Sequence, residues 1–186
     1  MSAQSETKAG KLIFLHGASS SGKSTIARRL QATIDQPFWH ISIDHLRDSG
    51  VLPMERIRNG EFPWKDLRDA FFSGYHRSLP VYVAAGNNLI VEHIIDTRKW
   101  LALLIDQLSP FDVFFVGIHC PLEELERRER ARNDRPIGDA RRDFATVHKH
   151  MQYDFEIDST RPIAETVTAL LNAWKQRQQP SAFEQM

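Results

Sequence analysis

Gly17, Ala18, Ser19, Ser20, Ser21, Gly22, Lys23 and Ser24 fit one of the few short patterns that carries its own mechanism: glycine, four residues, glycine, lysine, then serine or threonine. Backbone amides of such a loop, with Thr25 opening the next turn, point at an anion. The lysine bridges the outer phosphates of a nucleotide, and the serine hydroxyl is a ligand for Mg²⁺. Gly17 and Gly22 permit backbone angles that a Cβ would obstruct. The expected chemistry is therefore grip on a nucleoside triphosphate, with Ala18 to Ser21 supplying amides and Lys23 the cation.

Two carboxylates stand where they could act on what the loop holds. Asp44 closes the apolar segment WHISID and is expected at a strand end beside the loop. There it either orients or deprotonates an acceptor hydroxyl, or caps the short helix that follows. Glu92 closes LIVEHI, the place where an acidic residue holds Mg²⁺ directly or through water, or pairs with a neighbouring arginine. His93 and Asp96 follow, as pocket lining or as structure.

A third group lies in EELERRERARNDRPIG. Glu123, Glu124 and Glu126 each precede an arginine by four residues, the favourable order for helix ion pairs. Arg128, Arg132 and Arg135 stack on one stripe with fewer acids to offset them, which suits an anion between them. The break from Asn133 to Gly138, followed by Arg141 and Arg142, is expected to act as a short lid whose arginines stabilise a transferring phosphoryl group, or else to be an exposed helix end. His148 and His150, two apart, make a poor metal pair, and Cys120 reads as a packing residue. Phe62, Trp64, Phe71, Phe72 and Tyr75 are either helix core or the cover of an acceptor.

The elements that must carry these groups alternate. KLIFLHG reads as a strand buried on both faces, followed by a helix from about Gly22 towards Pro37 and the strand WHISID. A turn-rich stretch through Pro53 and NGEFP has no assignment. A helix is expected from about Trp64 to Ala85, kinked or ended by Pro80, and then the strand LIVEHI. Next come a helix from Thr97 to Leu108, the strand DVFFVGIHC, a helix opening at Pro121, another from Arg142 to Met151, the strand FEIDS and a last helix from Pro162 to Gln176. This alternation implies a doubly wound α/β fold with a parallel sheet of about five strands, whose ligands bind beyond the carboxyl ends.

Composition narrows the partners. The 186 residues carry 24 Lys plus Arg against 24 Asp plus Glu, which gives no bulk attraction for nucleic acid and no information on oligomeric state. With 41 % hydrophobic residues and no apolar run near the ~18 of a membrane span, one compact domain is expected, residues 1–10 and 178–186 being tails. A single cysteine and no secretory leader point to the cytoplasm.

HGASSSGKS, ISID, IVEHI, and the stretch from GIHCPLEELERRERARNDR through VHKHMQYDFEIDST together resemble the chloramphenicol phosphotransferase family, from Leu12 to about Thr160. The C-terminal combination of Arg128, Arg132, Asp134, Arg135, His148, Tyr153, Asp154 and Asp158 carries most of that likeness. The resemblance implies a three-layer, adenylate-kinase-like P-loop fold and transfer of the γ-phosphate of ATP to an alcohol of a small molecule. It also implies Asp44 as the base, with Arg132 and Arg135 in the segment that closes over the nucleotide. This chain departs from the family in showing Glu92 and His93 where two adjacent aspartates follow the third strand. Two further readings share the loop: a zeta-toxin-like kinase of a sugar nucleotide, and a nucleotide-binding switch that phosphorylates nothing.

Overall fold

The computed structural model describes residues 8–132 and 137–186. Its elements are β1 (Lys11–His16), α1 (Lys23–Gln31), β2 (Phe38–Ser42), α2 (Ile43–Asp48), α3 (Met54–Arg58), α4 (Trp64–Ala84), β3 (Asn88–His93), α5 (Arg98–Leu108), β4 (Asp112–His119), α6 (Leu122–Arg132), α7 (Asp139–Phe144), β5 (Phe155–Asp158), α8 (Ile163–Lys175) and α9 (Ala182–Gln185). The five strands form one parallel sheet in the order β2-β3-β1-β4-β5. Alternation along the strands separates two cores. Leu12, Phe14, Leu89, Val91, Val113 and Phe115 face α4, α5 and α9, whereas Ile13, Leu15, Ile90, Phe114 and Val116 face α1 and α8. Both sides of the sheet are thus covered, which is why the strand sequences are continuously apolar.

Several boundaries differ from the sequence reading. β2 stops at Ser42, whose Oγ accepts the His45 amide at 3.2 Å, so Ser42 rather than Asp44 caps α2 and Asp44 lies in its first turn. The unassigned stretch contains α3. α4 continues through Pro80 to Ala84: Leu79 and Val83 are fully buried, and their packing outweighs the ~3 kcal/mol that an internal proline removes. α7 ends at Phe144, and turns replace the expected helix to Met151. The C-terminal end is no tail from residue 178. Phe183 is fully buried, 5.9 Å from the Phe14 ring and 5.2 Å from that of Phe115. Residues 8–10 of the expected N-terminal tail include a buried Gly10, whose amide donates to the Val83 carbonyl at 2.8 Å.

Candidate active site

The carboxyl edge of the sheet gathers the groups singled out by sequence. The loop leaves β1 at Gly17, where an added Cβ would stand 2.6 Å from the Ile118 carbonyl oxygen. It enters α1 through Gly22, which caps the helix at φ 95°, with Ser20 also positive at φ 63°. Such left-handed residues curl consecutive amides into a concavity for an anion. Ala18, Ser19, Ser20 and Ser21 are all buried in that wall. Lys23 follows on the first turn of α1 and folds its Nζ back, donating to the carbonyls of Gly17 at 2.9 Å and Ala18 at 2.7 Å.

Ser24 Oγ donates to Glu92 Oε2 at 2.7 Å, and the other oxygen of Glu92 meets His40 Nε2 at 3.0 Å. Burial pushes the Glu92 carboxyl upward, but the hydrogen bonds of His40 and Ser24 and the charges of His40 and Lys23 outweigh it and hold the group below its ordinary range. An ionised carboxylate beside a serine hydroxyl is an oxygen-donor set that suits a hard divalent cation such as Mg²⁺. His40 was not foreseen. It lies two residues before Ser42 on β2, and Ser42 pairs with Glu92 in register, so period-two alternation was the available signal.

Lys23, Ser24, Asp44, Glu92, Arg128 and Arg132 all line one cleft of about 970 Å³, a volume at the upper end of small-molecule sites. Thr25 and Asp96 line it as well. Asp44 accepts from Arg47 at 3.0 Å, one helical turn on, a partner visible only once Ser42 is known to start the helix.

On the opposite rim Arg128 is held by four contacts: Glu124 at 2.7 Å, the Ser21 carbonyl at 3.4 Å, and the hydroxyl and carbonyl of Ser159 at 3.2 and 3.0 Å. Its guanidinium therefore lies against the loop. Arg127 forks onto Glu124 at 2.6 and 2.7 Å. Arg141 takes Glu126 at 2.7 Å in place of the expected pairing with Arg130, and Arg142 takes Asp139 and Asp143 at 2.7 and 2.9 Å. Arg141 and Arg142 are thus paired with acids, as Arg128 is with Glu124, and Arg128, Arg132 and Arg142 all line the cleft. Arg135 lies outside the described residues, as does most of the expected break.

Two further acids shape this side without any sequence signal. Glu129 is buried and accepts the amides of Gly138 at 2.9 Å and Ala140 at 2.8 Å, tying α7 to α6. Its burial favours the neutral acid, yet those amide bonds hold its carboxyl below the usual range. Asp143, also buried, accepts the Ser19 amide at 3.0 Å, so a carboxylate from α7 touches the phosphate loop itself.

Part of the cleft's lining is aromatic. Phe72 and Trp100 stack at 4.4 Å, and Arg68 lies over both rings at 4.9 and 4.7 Å while pairing with Asp96 at 2.8 Å. Trp64 is part of that lining. Tyr75 belongs to the core instead. Behind this wall His93 meets His76 at 2.9 Å between their Nε2 atoms. Burial drives His93 well below 6.5 and His76 to about 4, so both imidazoles are neutral near pH 7. His148 meets the Tyr153 hydroxyl at 2.7 Å, while His150 is exposed.

The family described as chloramphenicol phosphotransferase-like protein matches residues 10–175. A Mycobacterium tuberculosis protein with a provisional name as an O-phosphotransferase is 30 % identical, covering 95 % of this chain and 88 % of its own. Among solved structures, the M. tuberculosis APS kinase in complex with AMPPNP and APS aligns at a TM-score of 0.66 and 19 % identity, over 90 % of this chain and 98 % of that one. A gluconokinase from Sinorhizobium meliloti gives 0.64 and 19 %, over 91 % and 93 %. The shikimate kinase of Acinetobacter baumannii in complex with shikimate gives 0.64 and 15 %, over 91 % and 95 %. These likenesses establish the parallel five-stranded fold of P-loop kinases.

Proposed function

The chain belongs to the chloramphenicol phosphotransferase-like family and is a small-molecule kinase; from this premise we propose that it moves the γ-phosphate of ATP, with Mg²⁺, to a hydroxyl of a small molecule. One observation carries the reading: Lys23 and Ser24 of α1, Asp44 of α2 and Glu92 of β3 line a single cleft.

In this reading Lys23 leaves the carbonyls of Gly17 and Ala18 for the β- and γ-phosphates, while the loop amides and the start of α1 hold the β-phosphate. Ser24 and Glu92 would hold Mg²⁺, which offsets phosphate charge when bound. Asp44, oriented by Arg47, receives the acceptor proton as the acceptor oxygen bonds to the γ-phosphorus and the bond to the bridging oxygen breaks, releasing ADP. Arg128 and Arg132 face the developing charge. The acceptor would sit against Trp64, Phe72 and Trp100, a flat apolar wall with Arg68 and Asp96 as its polar handles.

The test is a screen of hydroxylated antibiotics, nucleosides and sugars, chloramphenicol included, for acceptor-dependent ADP release. A compound whose phosphorylation disappears in Lys23→Ala supports the reading. Nucleotide hydrolysis that no acceptor stimulates, with nucleotide-dependent binding of another protein, would replace it by the switch reading.

A further inference from the structure

We propose that His40, His45 and Glu92 form a site for a divalent cation of the zinc, cobalt or nickel class, next to the phosphate loop. One donor atom from each residue lies within 4.8 Å of the other two. His40 Nε2 and Glu92 Oε1 are in contact at 3.0 Å, their side chains only 6 % and 7 % exposed. The His45 ring packs edge-on against His40 at 4.6 Å and is open to solvent. The set is therefore walled by protein on the His40 and Glu92 side and approachable from the His45 side.

The three donors ride on regular elements. Glu92 and His40 project from adjacent strands, β3 and β2. His45 stands in the first turn of α2, where the Ser42 cap fixes its backbone. Ligands so held need little reorganisation to close on an ion. Two imidazole nitrogens with one carboxylate oxygen select imidazole-seeking metals over Mg²⁺, which takes oxygen donors almost alone. Three protein ligands also leave a fourth position for water or a phosphate oxygen.

Glu92 faces both ways, with Oε1 towards His40 and Oε2 towards Ser24. A cation on the histidine side therefore draws on the carboxylate that Mg²⁺ would use, and the two ions antagonise each other. That antagonism rests on the proposed transfer reaction, whereas binding of the cation to the triad does not.

The experiment titrates the metal-stripped full chain with Co²⁺ and follows its visible absorption. One equivalent with tetrahedral or five-coordinate bands is expected. His45→Gln, at an exposed position outside the transfer machinery, should weaken binding at least ~10-fold with thermal unfolding unchanged, and His40→Gln should weaken it as well. No cobalt spectrum, or a spectrum indifferent to His45→Gln, overturns the site. So does loss of the spectrum in His119→Gln instead, since His119 pairs with Glu156 at 2.6 Å and stacks on His148 in a second histidine group. Once an acceptor is known, Zn²⁺ should inhibit transfer by the wild-type chain, excess Mg²⁺ should relieve it, and His45→Gln should keep its basal turnover while resisting Zn²⁺. Zinc-insensitive transfer overturns the antagonism alone. Absence of any transfer leaves the cobalt result standing, so the two ideas fail separately.

Discussion

The two ends of the cleft are built by different means. The phosphate end is a continuous loop between β1 and α1, buried at Ala18, Ser19 and Ser21, and its recognition groups are backbone amides placed by two glycines. The end where the proposed reaction would seat the acceptor is assembled from side chains of α2, α4, α5 and the residues after β3: Arg68 and Phe72 of α4 both meet Trp100, and Arg68 also pairs with Asp96. Backbone recognition tolerates almost any neighbour and suits a ligand part common to many enzymes. Side-chain recognition is free to vary, and under the proposed function it is there that the acceptor would be selected.

Substitutions on the two sides should therefore separate kinetically. Lys23→Ala should produce the largest loss, roughly 10³-fold or more in acceptor-dependent ADP release, with the acceptor still bound in a calorimetric titration. If acceptor binding vanished too, the two ends would not be independent. Asp44→Asn should lower kcat about 10²- to 10³-fold while ATP affinity, read by fluorescent-nucleotide displacement, stays within a few fold. Near wild-type turnover would remove Asp44 from the chemistry.

Arg68→Ala should act on the acceptor end alone, raising the acceptor KM about 10-fold through loss of the cation over two aromatic faces. An equal change in the nucleotide KM would contradict the division. A further effect, on stability rather than on turnover, concerns the support of that wall. Below pH 6.5 the unfolded chain protonates His76 while the folded chain, its value pushed down to about 4 by burial, does not. The unfolded state then binds more protons, and stability falls as pH drops from 6.5 towards 4, by at most about 1.4 kcal/mol per pH unit from this group. His76→Gln should flatten that slope in denaturant titrations at pH 5 and 7.

The phosphate end was legible in the sequence because its motif, its glycines and the flanking strand and helix are contiguous. The sheet was legible too, since β1, β3 and β4 are so apolar that only burial on both faces explains them. What escaped were effects of distance. Nothing near Pro80 in the chain says that Leu79 and Val83 will be held by the sheet, or that Phe183 will pack on Phe14. Nor does local sequence predict that Glu129 will cap α7, or that Asp143 will reach Ser19. At Asp44 the ambiguity was local: strand end and helix cap compete in ISID, and Ser42 took the cap.

The contact between Asp143 and the Ser19 amide places a protein carboxylate on an amide of the loop that the proposed reaction would give to a phosphate. An incoming phosphate oxygen that took this amide would compete with the carboxylate for it, two anions for one donor. The carboxylate also pairs with Arg142 at 2.9 Å, so the loop and α7 share one hydrogen bond that a bound phosphate would have to break.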